Sequence, residues 1–463
     1  MKLYNTLTRE IQEIKPNDAT NIKIYSCGPT VYEKSHIGHW YTYIRDDLLI
    51  RLLKYNYSDV TWVLNITDVG HLVSDGDEGE DKLIKSATLQ KKTAWQIAEF
   101  YTEDFLNGLK KLNIQMPSYL PKATDHINEQ INLIKKLENK GFTYQIDDGI
   151  YFDSSKFKSY ADFAQLDVDE MQSGKRVIYN AQKKNISDFA LWKFSPKGIK
   201  RDMEWDSPWG IGFPGWHIEC SAMSMKYLGD NFDIHTGGID HIPVHHTNEI
   251  AQSMSITGKI PANYWFHSNH VTINNEKISK SLGNGITLDE LENEKYKLES
   301  FRLHVLESHY RTQSKFKKEN LLAAQNRLTS WRKIAALIWQ VDNEAILDFE
   351  DYKAKILEAL NNDLNTPLVL SILDQSFDDI YNNINETSKV SLVNYLSFID
   401  NLLGLSLASI KDINNNFKDL INKREGYKLN RQWEESDKIR QELLDNNIAL
   451  IDSLNNKTYW YYL

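Results

Sequence analysis

The sequence predicts an α/β chain in which a parallel-sheet domain carries an insertion and is followed by an α-helical bundle and a small C-terminal α/β module. Three observations predict it. NIKIYSC alternates apolar and polar residues, breaks at Gly28-Pro29, and gives way to the helical pattern YIRDDLLIRLLKY from Tyr43; VTWVLNITDV from Val60 then reads as a second strand. Strand, helix, strand is the building unit of a parallel sheet, whose ligands bind at the carboxyl ends of the strands. From Lys315 to Leu405, Leu, Ile and Ala recur at helical spacing with few glycines, the pattern of a bundle. The 463 residues exceed what one core holds and predict about two to four domains.

In chain order, residues 1–118 are expected to form the first half of the sheet domain and residues 119–206 an insertion, in which TYQIDDGIYFD reads as a hairpin. Residues 207–314 complete the sheet domain with the strand FDIHTGG and a loop of Lys, Ser and Asn from Glu276 to Gly285. The bundle spans 315–405. The module 406–463 contains RQWEESDKIRQELLDNNIALID, read as an amphipathic helix, an Asn-containing turn and a strand.

Composition narrows the function classes. With 41% hydrophobic and 25% charged residues and a mean hydropathy of −0.52, the chain is globular in character. No apolar run approaches a membrane span, and MKLYNTLTREIQEI lacks a secretory pattern, so no membrane association and a cytoplasmic location are expected. The two cysteines, Cys27 and Cys220, sit among His, Gly and Trp residues, which argues against a disulfide framework. A net charge of −10 counts against a broadly basic surface but leaves room for a local basic groove.

Three constellations carry chemistry. His36, Ile37, Gly38 and His39 lie between a strand end and a helix start, where free N–H groups attract phosphate and imidazoles can add hydrogen bonds. Read alone, the two histidines equally suit surface or packing roles. Lys277, Ile278, Ser279, Lys280 and Ser281 place two lysines on a loop, able to reach phosphate oxygens as point charges or to serve as a solvated loop. Cys27, Cys220, His245 and Glu249 offer two thiolates, an imidazole and a carboxylate, the last two at i, i+4 on one helix face. They suit zinc, with buried thiols and a core histidine as the alternative.

HIGH before a long insertion and KISKS after it resembles the class I aminoacyl-tRNA synthetases. CGPTVY at Cys27–Tyr32, NITDVG at Asn65–Gly70, DFALWK at Asp188–Lys193, PGWHIECSAM at Pro214–Met223, HHTNEIAQS, KISKSLGN, HYR at His309–Arg311 and DLNTP at Asp363–Pro367 narrow the resemblance. The chain is similar along its length to the cysteinyl-tRNA synthetase family. It departs from the family pattern at Thr247, where Glu is common, at Phe213, where Arg is usual, in the Trp40-Tyr41 continuation of HIGH, and at Ile278, where Met is usual.

The resemblance implies a Rossmann-like catalytic domain, one zinc per chain held by Cys27, Cys220, His245 and Glu249, and selection of the cysteine thiolate by that metal. It implies ATP with Mg²⁺ as substrate, bound by His36, Gly38, His39, Gly237, Gly238, Asp240, Lys277 and Lys280. His36, His39, Lys277 and Lys280 take the catalytic roles, and Thr67, Trp216 and Asp240 contact the amino-acid substrate. The partners implied are L-cysteine, ATP and tRNA-Cys, with the enzyme a monomer. The bundle and C-terminal module would hold the anticodon arm, with Trp433, Arg440 and Trp460 as candidates for RNA contact. One competing reading is a cysteine ligase that passes the adenylate to a sugar amine; another is a non-catalytic zinc- and RNA-binding regulator.

Overall fold

The computed structural model describes residues 1–69, 81–165, 181–196, 198, 200–273, 276–278, 285–341, 348–452 and 457–463. These form two units, Met1–Glu290 with Tyr310–Lys315 and Leu291–His309 with Phe316–Leu463.

In the first unit a hairpin of β1 (Lys2–Asn5) and β2 (Glu10–Glu13) precedes β3 (Asn21–Ser26), α1 (Ile37–Asn56) and β4 (Asp59–Leu64). Helices α2 (Lys82–Gln90) and α3 (Ala94–Lys111) follow, then α4 (Ile127–Asn139). The chain continues through β5 (Thr143–Ile146), β6 (Gly149–Phe152), β7 (Phe189–Phe194) and β8 (Gly212–Pro214) to α5 (Trp216–Leu228) and β9 (Phe232–Gly238). Next come α6 (Thr247–Thr257), β10 (Ala262–Ser268), β11 (Val271–Ile273) and β12 (Glu276–Lys277).

The central sheet has the order β10-β9-β3-β4, and all three pairings are parallel. Its strands are apolar because helices cover both faces of such a sheet; Ile22, Ile24, Val63, Leu64 and Ile234 are buried. The crossover through α1 runs from β3 to β4 on one side, while β9 and β10 lie on the other, so the winding reverses between β3 and β9. A crevice opens at the carboxyl ends of strands at such a switch point.

Helix α1 starts at Ile37, six positions before the Tyr43 at which apolar periodicity begins. His36 caps it in an extended conformation, and its backbone N–H donates to Nδ1 of His39 at 3.2 Å. The cap is thus built from the HIGH motif. The insertion folds as an antiparallel sheet of order β5-β6-β7-β8. Ile150, Phe152, Leu191 and Trp192 share a core with Ile131, Ile134 and Leu137 of α4 and Ile218 of α5. The last strand of this sheet, Gly212–Pro214, leads directly into α5.

The second unit contains the helices Lys318–Ala335, Glu350–Asn361, Thr366–Asn382 and Lys389–Leu403. They are followed by helices Asn415–Leu429 and Trp433–Asp445 and an antiparallel pair, Ile448–Asp452 with Thr458–Tyr462. Asn447, at a φ of 59°, turns the chain between the last helix and its strand. Ile421, Ile439, Leu443, Ile448 and Leu450 form the module's core together with Trp460. Trp460 is 4% exposed, which removes it from the residues available to stack on RNA; Trp433 is 58% exposed and Arg440 is also exposed.

Candidate functional site

A cavity of about 340 Å³ lies at the switch point, lined by Cys27, His36, Gly38, His39, Thr67, Trp216, Cys220, Gly238, Asp240, His245 and neighbours. The sequence motifs meet there because the strand ends do. Gly28 has no room for a side chain: a Cβ would sit 1.5 Å from the Asn65 carbonyl oxygen. Its N–H donates to the Asn65 side chain at 2.8 Å, and Asn65 Nδ2 donates to Thr67 Oγ1 at 3.1 Å. CGPTVY and NITDV are thereby locked together, and Thr67, 2% exposed, joins the wall.

At the α1 end, the His36 and His39 rings stack with centroids 3.8 Å apart. Burial lowers the pKa of His36 to about 4 and that of His39 to about 3, so both imidazoles are neutral at physiological pH. A neutral imidazole retains one N–H to donate, and the α1 N-terminus adds its free backbone donors. Gly238 lines the cavity with open space where a Cβ would be. Gly237 lies one layer back, where a Cβ would fall 2.8 Å from both His241 and His246. Asp240 is exposed at the rim, its Oδ1 3.7 Å from His270 Nδ1. Ile278 is buried in the lining. Lys280 and the Lys277 side chain lie outside the described residues.

At the opposite end, Cys27, Cys220, His245 and Glu249 each offer one ligand atom within 4.8 Å of the others. Ligand atoms around one tetrahedral zinc are roughly 3.3–3.8 Å apart, given bonds of about 2.0–2.3 Å, so the set is compact enough for a single ion. His245 lies in the turn Ile242–His246, which is wound one residue wider than an α-helix and runs straight into α6, where Glu249 sits. Its ring stacks on Trp216 with centroids 4.4 Å apart.

The electrostatics suit a cation. The bond that Cys27 donates draws the Cys220 thiol down to about 6, while burial and the Cys220 charge push Cys27 well up. Against its burial, His245 is raised to about 10 by the Glu249 charge and by Cys220. Glu249 is fully buried, yet His235 and His245 together outweigh that burial and hold it below the usual carboxylate range. The proton on His245 offsets one of the two negative charges on Cys220 and Glu249 and Cys27 stays neutral, which leaves the cluster negative, and a divalent cation releases such protons on binding. The four residues fit zinc in number, spacing and chemistry.

Several residues at the site were not legible from sequence. His235 Nε2 lies 2.7 Å from Glu249, and His246 Nε2 lies 3.3 Å from Cys27 Sγ. His246 bonds His267 at 2.7 Å, and His267 bonds Thr6 at 2.8 Å. Cys27, His235, His246 and Glu249 form a second set within the same 4.8 Å limit. The available signal was density: His217, His235, His241, His245, His246, His267 and His270 fall within one short stretch of sequence. Glu33, also in the lining, has its carboxyl raised to about 7 by burial, against the pull of Lys82.

The chain matches the family described as tRNA synthetases class I (C) catalytic domain over residues 13–326. It is 39% identical to a cysteine–tRNA ligase of Treponema denticola over 99% of each chain. It is 43% identical to cysteine–tRNA ligase 1 of Burkholderia lata over 96% of this chain and 93% of the relative. The chain belongs to the cysteine–tRNA ligase family. Among solved structures, the Mycobacterium tuberculosis methionyl-tRNA synthetase in complex with methionyl-adenylate superposes with a TM-score of 0.60 at 14% identity, covering 84% of this chain and 93% of that one. At that identity the likeness is one of fold. The Arg201 guanidinium lies 3.9 Å from the centre of the Phe213 ring. Among the described residues no helix is long and apolar enough to cross a membrane.

Proposed function

We propose that this chain activates L-cysteine with ATP and transfers it to the 3′-terminal adenosine of tRNA-Cys, acting as a cytoplasmic monomer with one zinc. The observation that carries this reading is one cavity lined both by Cys27, Cys220 and His245 of the candidate metal set and by paired neutral histidines at a helix N-terminus. Zinc held by Cys27, Cys220, His245 and Glu249 supplies a Lewis acid that prefers a thiolate to the alcohol of serine.

In the first step a carboxylate oxygen of cysteine attacks the α-phosphorus of ATP. The bond to the bridging oxygen breaks and pyrophosphate leaves with Mg²⁺. Neutral His36 and His39 donate N–H bonds to the α-phosphate without adding the desolvation cost of a buried imidazolium. Lys277 and Lys280 neutralise the departing pyrophosphate. Trp216 packs against His245 and closes the amino-acid end, Thr67 lines it, and Asp240 takes a ribose hydroxyl or the substrate ammonium at the rim. In the second step a hydroxyl of the terminal adenosine, the 2′-OH by analogy with the family, attacks the activated carbonyl and AMP leaves. The second unit receives the anticodon arm.

The test is charging of unfractionated tRNA with labelled cysteine, run beside serine and beside protein stripped of zinc. Cysteine-specific, zinc-dependent charging is expected. Cysteine-dependent ATP–pyrophosphate exchange without tRNA labelling would shift the reading to a ligase with a small amine acceptor, and absence of both with metal-replete protein would sink it.

A further inference from the structure

We propose that the α2–α3 hairpin forms a cationic track that guides the unpaired 3′ end of tRNA into the catalytic cavity. This rests on the tRNA-charging reading above. Three observations support it.

The first is charge. Residues 82–98 contain Lys82, Lys85, Lys91 and Lys92 and no Asp or Glu, in a chain whose net charge is −10. Lys85, Lys91 and Lys92 are exposed, while Leu83, Ala87, Ala94 and Ile97 bury the opposite side. Of the flanking acids, Glu99 is exposed, while Asp81, Asp202 and Glu33 are engaged locally. Asp81 caps α2 through the N–H groups of Leu83 and Ile84 and pairs with Arg201. Asp202 accepts the Ala94 N–H at 2.8 Å, and Glu33 lies near Lys82.

The second is placement. Lys82 lines the cavity, and its ammonium lies 5.7 Å from the centre of the Tyr32 ring, another lining residue. Ser86 Oγ donates to the Tyr32 carbonyl at 2.7 Å, which fastens the start of α2 to the cavity wall. Residues 82, 85, 86 and 89 share one stripe of a helix. That stripe therefore begins inside the cavity and runs outward to the lysine pair at the turn, over about 14 Å at 1.5 Å per residue. This length accompanies about four nucleotides at the ~3.4 Å rise of a helical strand.

The third is the apolar surface between the cations. Leu89 is 77% exposed and Phe100 44% exposed, and Lys92 lies 4.6 Å from the Phe100 ring centre. Cations interleaved with exposed apolar and aromatic groups suit unstacked bases on a phosphate backbone.

The test crosses two proteins with two RNAs. Full-length wild type and the Lys85→Glu/Lys92→Glu variant are titrated, over a range of KCl, with intact tRNA-Cys and with the same tRNA lacking its unpaired 3′ end. Cysteine-dependent ATP–pyrophosphate exchange checks that both proteins are folded. We expect the variant to retain exchange, to bind intact tRNA about tenfold more weakly, and to show a salt slope shallower by about 1.4, from two contacts at ~0.7 each. Wild type and variant should bind the trimmed tRNA alike. Unchanged binding of intact tRNA, or equal weakening on both RNAs, would overturn the track. If exchange falls in the variant, Lys85→Gln/Lys92→Gln replaces it, with the same pattern expected at a smaller size. A wild type that neither exchanges nor charges defeats the underlying synthetase reading instead.

Discussion

The floor of the catalytic cavity and the C-terminal module both bury charge, but they neutralise it in opposite ways. In the module, Arg424 grips the Asp452 carboxylate through both terminal nitrogens at 2.8 and 2.9 Å, and Lys428 adds a contact at 2.8 Å. On the cavity floor two thiols and a carboxylate are crowded together with imidazoles, and protons on Cys27 and His245 offset only part of their charge. A bidentate pair closes an electrostatic account within the chain. The floor is left with negative charge, which is compatible with an external cation.

The largest effect expected from breaking this contrast follows Cys220→Ala. Zinc content should fall to background, and cysteine-dependent ATP–pyrophosphate exchange should drop more than about 10³-fold, because the amino-acid site loses its Lewis acid. Metal analysis beside exchange kinetics reads both. Retained zinc with full exchange would show that the second donor set, with His235 and His246, holds the ion.

Chelation comes next. Removing zinc that had been present at a thousandfold over its Kd should cost the catalytic unit about 4 kcal/mol. Calorimetry is expected to show that unit's transition falling while the helical unit's stays in place. A helical transition that moved equally would erase the distinction between the regions.

Asp452→Asn tests the other side, with about 2 kcal/mol of destabilisation expected from leaving buried Arg424 without its charged acceptor. The Arg424 hydrogen bonds hold the Asp452 carboxyl below the usual range, against its burial. A depressed carboxylate contributes stability above its unfolded pKa of about 3.9 and loses it as pH falls toward the folded value. The gap in melting temperature between wild type and Asp452→Asn should therefore narrow below about pH 4. A gap constant with pH would mean that packing, not charge, carries the effect.

The smallest effect is expected at Trp433, exposed at the start of its helix. Trp433→Ala should raise the KM for tRNA about fivefold through loss of one stacking surface and leave exchange untouched.

Much of the site could be read from residue types alone. The residue types of HIGH and of the candidate metal donors single them out, and the structure brings His36, His39, Cys27, Cys220 and His245 into one cavity lining, whereas Lys280 and the Lys277 side chain of KISKS lie outside the described residues. Strands β3, β4 and β9, the β5–β6 hairpin and the helices of the second unit were equally legible, since apolar periodicity reports burial, whereas α2, α3 and α4 were not singled out. The start of α1 was not, because Ile37 to Thr42 is a mixture of His, Gly and aromatic residues whose helical state depends on the His36 cap. Nor was the fate of Trp460, because a strand aromatic looks the same whether it faces RNA or the core.

By itself the sequence determined the α/β class and the family and offered the residue types of a candidate metal set, since each follows from local pattern or chemical type. Only the tertiary structure decided which histidines surround the metal set, that His36 and His39 are neutral, and that Lys82 opens onto the same cavity as Cys27. Those properties arise from burial and from distances between segments far apart in the chain. Neighbouring residue types do not encode them, because desolvation and electrostatic coupling depend on what the fold packs alongside.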